Sequence, residues 1–286
     1  MSQEMQHLVD AYAPSEMAQR VLKVGVAKGK LPVSDTLILA VLAGAFIGLG
    51  AAFATLTTTN PAMGFGPARV LGGLTFSLGL ILVVVAGAEL FTGNNLVAMA
   101  WASRAIGTRQ LTRNWVLVYM GNLFGSLGTA LLVYWSGVWV LGDNAVAVNG
   151  LAIAAAKCDL GFGEAFVRGV LCNALVCLAV WLCHSARSTT DKILAILWPI
   201  TAFVALGFEH CIANMYFIPF GILLKANPQL LASPALAQAG LSLDSLDLGG
   251  FGANLLPVTL GNIVGGTLLV AGVYWFAYLR REGRST

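Results

Sequence analysis

GAELFTGNN, Gly87 to Asn95, and GFEHCIAN, Gly207 to Asn214, set glutamate, asparagine and histidine inside long apolar runs. ILAILWPITAFVAL (Ile193 to Leu206) precedes the second stretch and MYFIPFGILL (Met215 to Leu224) follows it. Such a run predicts a membrane span, since a helix needs about 20 mostly apolar residues to cross the hydrocarbon. A polar interruption bounded by glycine predicts that the span is broken there. The two stretches repeat: Gly87 matches Gly207, Glu89 matches Glu209 and Asn94 matches Asn214, each at an offset of 120 residues.

A second repeat follows the first in the same order. Asn114 answers Asn254, Gly121-Asn122 answers Gly261-Asn262, Gly125 answers Gly265, and Tyr134-Trp135 answers Tyr274-Trp275, all at an offset of 140. Apolar runs predict six spans, near residues 36–58, 70–102, 115–140, 165–183, 193–224 and 254–279. A repeat unit of three spans is odd, so its second copy enters the membrane with opposite topology. The expected fold is therefore an all-α membrane protein with six transmembrane helices in two inverted three-helix repeats. Its second and fifth helices are broken and meet at a central passage.

Composition agrees with the membrane class. The 286 residues are 58% hydrophobic and 10% charged, where soluble domains carry about 25% charged residues. A net charge of +3 without a basic, aromatic-interleaved patch argues against nucleic acid as a partner. The first twenty residues are polar and lack a cleavable signal's apolar core, so the N-terminus is expected to be retained. With six spans, twelve of the 16 Lys and Arg residues fall on the side of both termini and four (Arg69, Lys157, Arg168, Lys225) on the other. Basic residues favour the cytoplasm, so both termini are expected there. The chain divides into a cytoplasmic N-terminal amphipathic helix (1–35), a transmembrane channel domain (36–280) and a cytoplasmic tail (281–286). In PSEMAQRVLKVGVAKGK, Met17, Val21 and Val24 form one stripe. That helix either lies on the membrane, covers a pore mouth or merely packs.

The five cysteines form no CxxC pair and read as packing residues, not as a metal or disulfide framework. His210 is the one histidine deep within a span; His7 lies in the polar head and His184 near a span end. Ionisable groups within spans are costly, so His210 is a functional candidate. It either exchanges protons near neutral pH or serves as a hydrogen-bonded packing residue. The Thr92 hydroxyl either meets His210 or a permeating anion, or caps the half-helix that starts near Gly93. Both half-helices, from near Gly93 and near Cys211, point positive ends at the passage and favour an anion. Glu89 and Glu209 are expected to bond loop backbone or pair with lysine. Asn94, Asn173, Asn214 and Asn262 are expected to satisfy broken backbone more than to touch substrate. Lys157 either draws in an anion or is an ordinary loop lysine. No nucleophile–base set, phosphate cradle or pair of metal ligands stands out, so no enzyme, cofactor or metal is expected. A single NPA at residues 60–62 has no mate at the repeat offset and reads as a turn.

GGLTFSLGLILVVVAGAELFTGNN, GFEHCIANMYFIPFGI and NLLPVTLGNIVGG resemble the signature segments of the formate/nitrite transporter family, nearest its formate channel branch. The resemblance spans about residues 14–280. It implies an aquaporin-like protomer, a homopentamer in a bacterial inner membrane, and one substrate path per protomer. The axis between protomers is then a separate, lipid-filled space. It implies a central pair of Thr92 and His210, and constrictions at Phe76, Leu80, Leu90, Phe91 and Phe203. Lys157, Asn173 and Glu209 become polar lining. The expected function is passage of formate, passive or proton-coupled. Nitrite or hydrosulfide within the family, and a redox or metal-binding membrane subunit outside it, are the alternatives.

Overall fold

A computed structural model describes residues 10–59 and 62–280. His7, Asn60, Pro61, Arg281, Arg284 and the 281–286 tail lie outside the described residues. Helix α1 (Pro14–Lys30) opens with proline in its first turn, and Glu16 accepts from the Ala13 amide at 2.9 Å. Its buried face is Met17, Ala18, Val21, Gly25 and Gly29. Val24, expected on that stripe, is exposed. The contact row steps by four through the two glycines, which let α1 lie against Val97, Ala100 and Ile106. Of the three readings of this helix, the buried face supports the one in which it packs against the rest of the chain.

Helix α2 (Val33–Thr57) starts ahead of the expected 36, because Pro32 at its N-cap ends α1 and fixes the turn. Helix α3 (Phe65–Ile81) widens into a π turn over Leu82–Gly87. It stops at Gly87, whose φ of 83° only glycine adopts freely. Ala88 is extended and the chain is irregular through Leu90, a 3-10 turn spans Gly93–Val97, and α4 (Ala98–Ala102) completes the second half. Helix α5 (Thr108–Trp135) follows. Helix α6 (Ala145–Cys158) comes next, between the third and fourth expected spans. Its 14 residues are apolar but too short to cross.

Helix α7 (Phe162–Cys183) leads to α8 (Thr189–Ala205), which begins at a capping box made by Ser188 and Asp191. Gly207, φ 72°, ends α8 as Gly87 ends α3. The chain is irregular from Phe208 to an extended His210, and α9 (Cys211–Lys225) resumes. After two short turns, α10 (Pro228–Leu231) and α11 (Pro234–Ala239), helix α12 (Leu248–Val264) runs on through π turns to Leu279. Among the described residues, five continuous helices are long and apolar enough to cross a membrane. The fifth expected span is not one of them, because its break divides it into α8 and α9, of 17 and 15 residues.

Packing repeats the sequence pattern. Helix α2 lies along α5 and α12 along α7, while α3 and α8, the two that lead into breaks, lie on each other. A Cβ on Gly125 would stand 2.0 Å from the Val41 carbonyl oxygen, and one on Gly265 would stand 2.1 Å from that of Val170. Both glycines are therefore close-approach positions, 140 residues apart. The outer surface is apolar: Phe124, Leu132, Trp135 and Trp198 are 61–71% exposed. Their surroundings must be lipid or another chain rather than water.

Candidate functional site

Each break is tied by an asparagine from a long helix. Asn122, on α5, accepts from the Phe91 amide at 2.9 Å and donates to the carbonyls of Ala40 (2.7 Å) and Glu89 (2.9 Å). Asn262, on α12, accepts from the Cys211 amide at 2.9 Å and donates to those of Gly169 (2.8 Å) and Glu209 (2.9 Å). Asn122 and Asn262 differ by 140 residues, their targets within the breaks by 120. One side chain thus satisfies backbone groups that the interrupted helix leaves unpaired.

The two glutamates are anchored in matching networks. Lys28 Nζ lies 2.7 Å from Glu89 Oε1 and donates to Asn94 Oδ1 at 2.8 Å. Asn94 Nδ2 donates to Glu89 Oε2 (2.6 Å) and Asn114 Oδ1 (3.0 Å). In the other half, Lys157 Nζ lies 2.8 Å from Glu209 Oε1, and Asn214 Nδ2 donates to Glu209 Oε2 (2.6 Å) and Asn254 Oδ1 (2.7 Å). Asn254 returns a bond to the Lys157 carbonyl at 2.8 Å. Lys157 is therefore no free loop residue. It sits on α6, which carries its ammonium to the second break. Lys28, Asn114 and Asn254 were not singled out for this role from sequence. The 140-residue repeat of Asn114 and Asn254 was the available signal.

Asn173 donates to the Thr92 carbonyl (3.3 Å), Asn95 Oδ1 (2.8 Å) and the Asn262 carbonyl (2.7 Å), joining the two breaks. It lines neither cavity described below. Three backbone amides at the breaks are also committed to side chains. Asn122 takes that of Phe91, Asn262 that of Cys211, and His210 that of Ala213. The expected set of N–H groups open to an anion is correspondingly smaller.

At the centre, His210 Nε2 and Thr92 Oγ1 are 2.9 Å apart, and both residues are buried. His210 Nδ1 accepts from the Ala213 amide at 3.0 Å, so His210 is the N-cap of α9. With Nδ1 used as an acceptor, a neutral ring carries its proton on Nε2 and donates it to Thr92. The Thr92 hydroxyl proton is then free to face another acceptor. Thr92 itself makes no cap bond, which removes the capping alternative. At the repeat offset the mate of His210 is Leu90, so histidine occurs at one break and leucine at the other.

Two cavities lie along different stretches of α3; His210 lines the second, and Thr92 lines neither. The first, about 650 Å³, is lined by Leu80, Val83, Gly87, Glu89 and Leu90 and by Arg20, Lys23, Lys28, His184 and Lys192. The second, about 450 Å³, is lined by Phe76, Phe203, Glu209 and His210 and by Arg69, Lys157 and Arg168. The cations of each cavity come from one side only of the twelve-to-four division. Leu80 and Leu90 thus line the first cavity, and Phe76 and Phe203 the second. The Phe203 ring stacks on His210 at 5.8 Å and meets Phe76 edge-on at 5.6 Å. Phe91 lines neither cavity; its ring packs edge-on to Trp115 and Tyr119. His184, just past the end of α7, is pushed down to about 4 by burial and by the charges of Arg20, Lys28 and Lys192.

Residues 15–276 match the family model described as formate/nitrite transporter. The chain is 43% identical over 277 residues to the formate channel FocA of Escherichia coli (strain K12), covering 96% of each. It is 42% identical over 236 residues to the formate channel FocA of Haemophilus influenzae, covering 81% of this chain and 82% of that one. A solved structure described as a pentameric formate channel with formate bound superposes with a TM-score of 0.78. It is 42% identical, with 87% of this chain and 98% of that one covered.

Proposed function

The chain belongs to the formate/nitrite transporter family, and from that premise we infer that it passes formate across a membrane, as a channel and not an enzyme. The observation that carries the reading is the Thr92–His210 hydrogen bond standing between two cation-lined cavities. The cavities gather the anion, and the apolar pairs Leu80–Leu90 and Phe76–Phe203 separate it from bulk water. Between them, Thr92 and His210 supply the polar contact that replaces water. A bare carboxylate is costly in such a place and neutral formic acid far less so. A proton taken from hydronium in the cavities, so that formate passes His210 as neutral formic acid, therefore lowers the barrier. Lys157, Glu209, Asn173, Asn214 and Asn262 hold the breaks in shape, and Lys157 also attracts the anion. Phe91 acts through its packing against α5.

Each protomer, in this reading, crosses the membrane six times, with α8 and α9 together forming one crossing. It consists of two inverted three-helix repeats; the doubled asparagine ties and Lys–Glu–Asn networks support this. The channel domain takes in α2 to α12, and α1 covers the first cavity. The twelve-to-four basic bias supports cytoplasmic termini in a bacterial inner membrane. A homopentamer with a lipid-filled axis fits the apolar outer face and the pentameric formate channel to which the chain is similar. Chemical crosslinking in native membranes is expected to reach a five-chain species. A ladder that ends at the monomer contradicts that assembly.

Thr92→Ala is expected to preserve assembly and lower formate flux about twofold to tenfold, because one hydroxyl bond is worth about 0.5–1.5 kcal/mol. Thr92→Ser should retain most activity. Labelled formate uptake into proteoliposomes, with nitrite, hydrosulfide and acetate as competitors, checks this and ranks the anions. Equal flux through Thr92→Ala and the wild type contradicts the central role of the hydroxyl.

A further inference from the structure

The second cavity holds more positive charge than its acids neutralise. Arg69, Lys157 and Arg168 line it, together with Glu209. Lys157 pairs with Glu209, and Arg168 with Glu164 one helical turn away. Arg69, half-buried on α3, has no carboxylate at ion-pair distance among the described residues. Its Nε donates to the Ala205 carbonyl at 2.9 Å and its Nη2 to that of Val204 at 3.0 Å, at the C-terminal end of α8. Arg168 Nη1 donates to the Gly207 carbonyl at 3.2 Å. Both guanidinium groups crowd one residue: a Cβ on Gly207 would lie 2.9 Å from Arg69 Nη2 and 3.7 Å from Arg168 Nη1.

Two like charges on one turn repel each other. The α8 carbonyls offset part of that repulsion, since a helix C-terminus carries about half a negative charge. The remainder faces the cavity, where low-dielectric walls focus it. A guanidinium presents its N–H groups as a planar fork that suits a carboxylate or another small oxyanion. We propose that Arg69 and Arg168 form an anion-holding site at the rim of the second cavity, which collects formate ahead of Lys157 and the Phe76–Phe203 pair. This rests on the transport reading above and adds a capture step to it. The step acts at low formate, where arrival limits the flux, and at low salt, where the field is unscreened.

The test is formate flux in proteoliposomes at low and high ionic strength, for the wild type, Arg69→Gln and Arg168→Gln. Glutamine keeps an N–H donor for the α8 or Gly207 carbonyls while removing the charge. At low salt each variant is expected to raise the half-saturating formate concentration at least about threefold with its maximal flux within about twofold. Salt should raise the wild-type value and leave the variants' values nearly unchanged. Should Arg69→Gln disturb the turn, Arg168→Gln leaves both Arg69 carbonyl bonds in place and decides alone. Crystals soaked in bromide report the site without formate: an anomalous peak beside Arg69 and Arg168 is expected in the wild type and is lost in Arg69→Gln. Unchanged half-saturation and unchanged salt dependence in the variants overturn the capture site while leaving transport intact. A bromide peak in a protein that passes no formate overturns the transport reading and keeps the anion site.

Discussion

His210→Phe is expected to cut formate flux at least about tenfold while the oligomer stays assembled. The substitution removes two bonds at once, the cap on the Ala213 amide and the bond to Thr92. A lost cap costs about 1 kcal/mol and a lost neutral hydrogen bond about 0.5–1.5 kcal/mol. Each 1.4 kcal/mol is roughly a factor of ten in rate. Phenylalanine retains the stacking on Phe203, so the cavity keeps its shape but loses its polar centre. Proteoliposome flux and size-exclusion elution, measured on the same preparation, check both halves. Wild-type flux through the assembled variant removes His210 from the path.

Lys157→Met is expected to cost about 3–5 kcal/mol of stability, the range for leaving one member of a buried ion pair alone. Its partner Glu209 has a side chain only 4% exposed, against 14% for Lys157, so solvent does little to relieve the orphaned charge. Glu209 also holds Asn214, and through it Asn254, so the loss spreads along the second break. Adding Glu209→Gln removes the charge while keeping the amide geometry, and the double variant should recover part of the loss. Thermal unfolding of the four proteins in one detergent closes the cycle. A Lys157→Met melting temperature equal to the wild type's contradicts the pair's structural role.

Much of this architecture was legible because the residues that define it are unusual in apolar sequence. Gly87, Glu89, Asn94 and their mates at offset 120 located both breaks, and the glycines at offset 140 located the close helix contacts. Long-range placement was not legible. Lys157 read as a possible loop residue because AIAAAKC is short and alanine-rich, and periodicity does not separate such a stretch from an apolar approach. Its reach to Glu209 depends on how α6 folds against α9. Val24 joined the wrong stripe because glycines carry no hydrophobic signal, although two of them line the buried face of α1. Arg69 and Arg168 read only as two of the four basic residues on one side. Their convergence on Gly207 follows from the packing of α3 and α7 around α8.

The central claim is that His210 is the polar centre of the path and that formate takes up a proton beside it. Adding a proton to the neutral ring puts a hydrogen on Nδ1 and displaces the Ala213 amide, so charge on His210 is coupled to the shape of the break. His184 faces the first cavity but, held down to about 4, stays uncharged from pH 5 to 8. His210→Asn can still accept from Ala213 and donate toward Thr92, but cannot titrate. The deciding measurement is formate uptake into proteoliposomes from pH 5 to 8, wild type beside His210→Asn. The account predicts that wild-type uptake rises as pH falls, while the Asn variant passes formate with most of that dependence gone. An Asn variant with the wild-type pH profile contradicts it and leaves His210 as a structural cap.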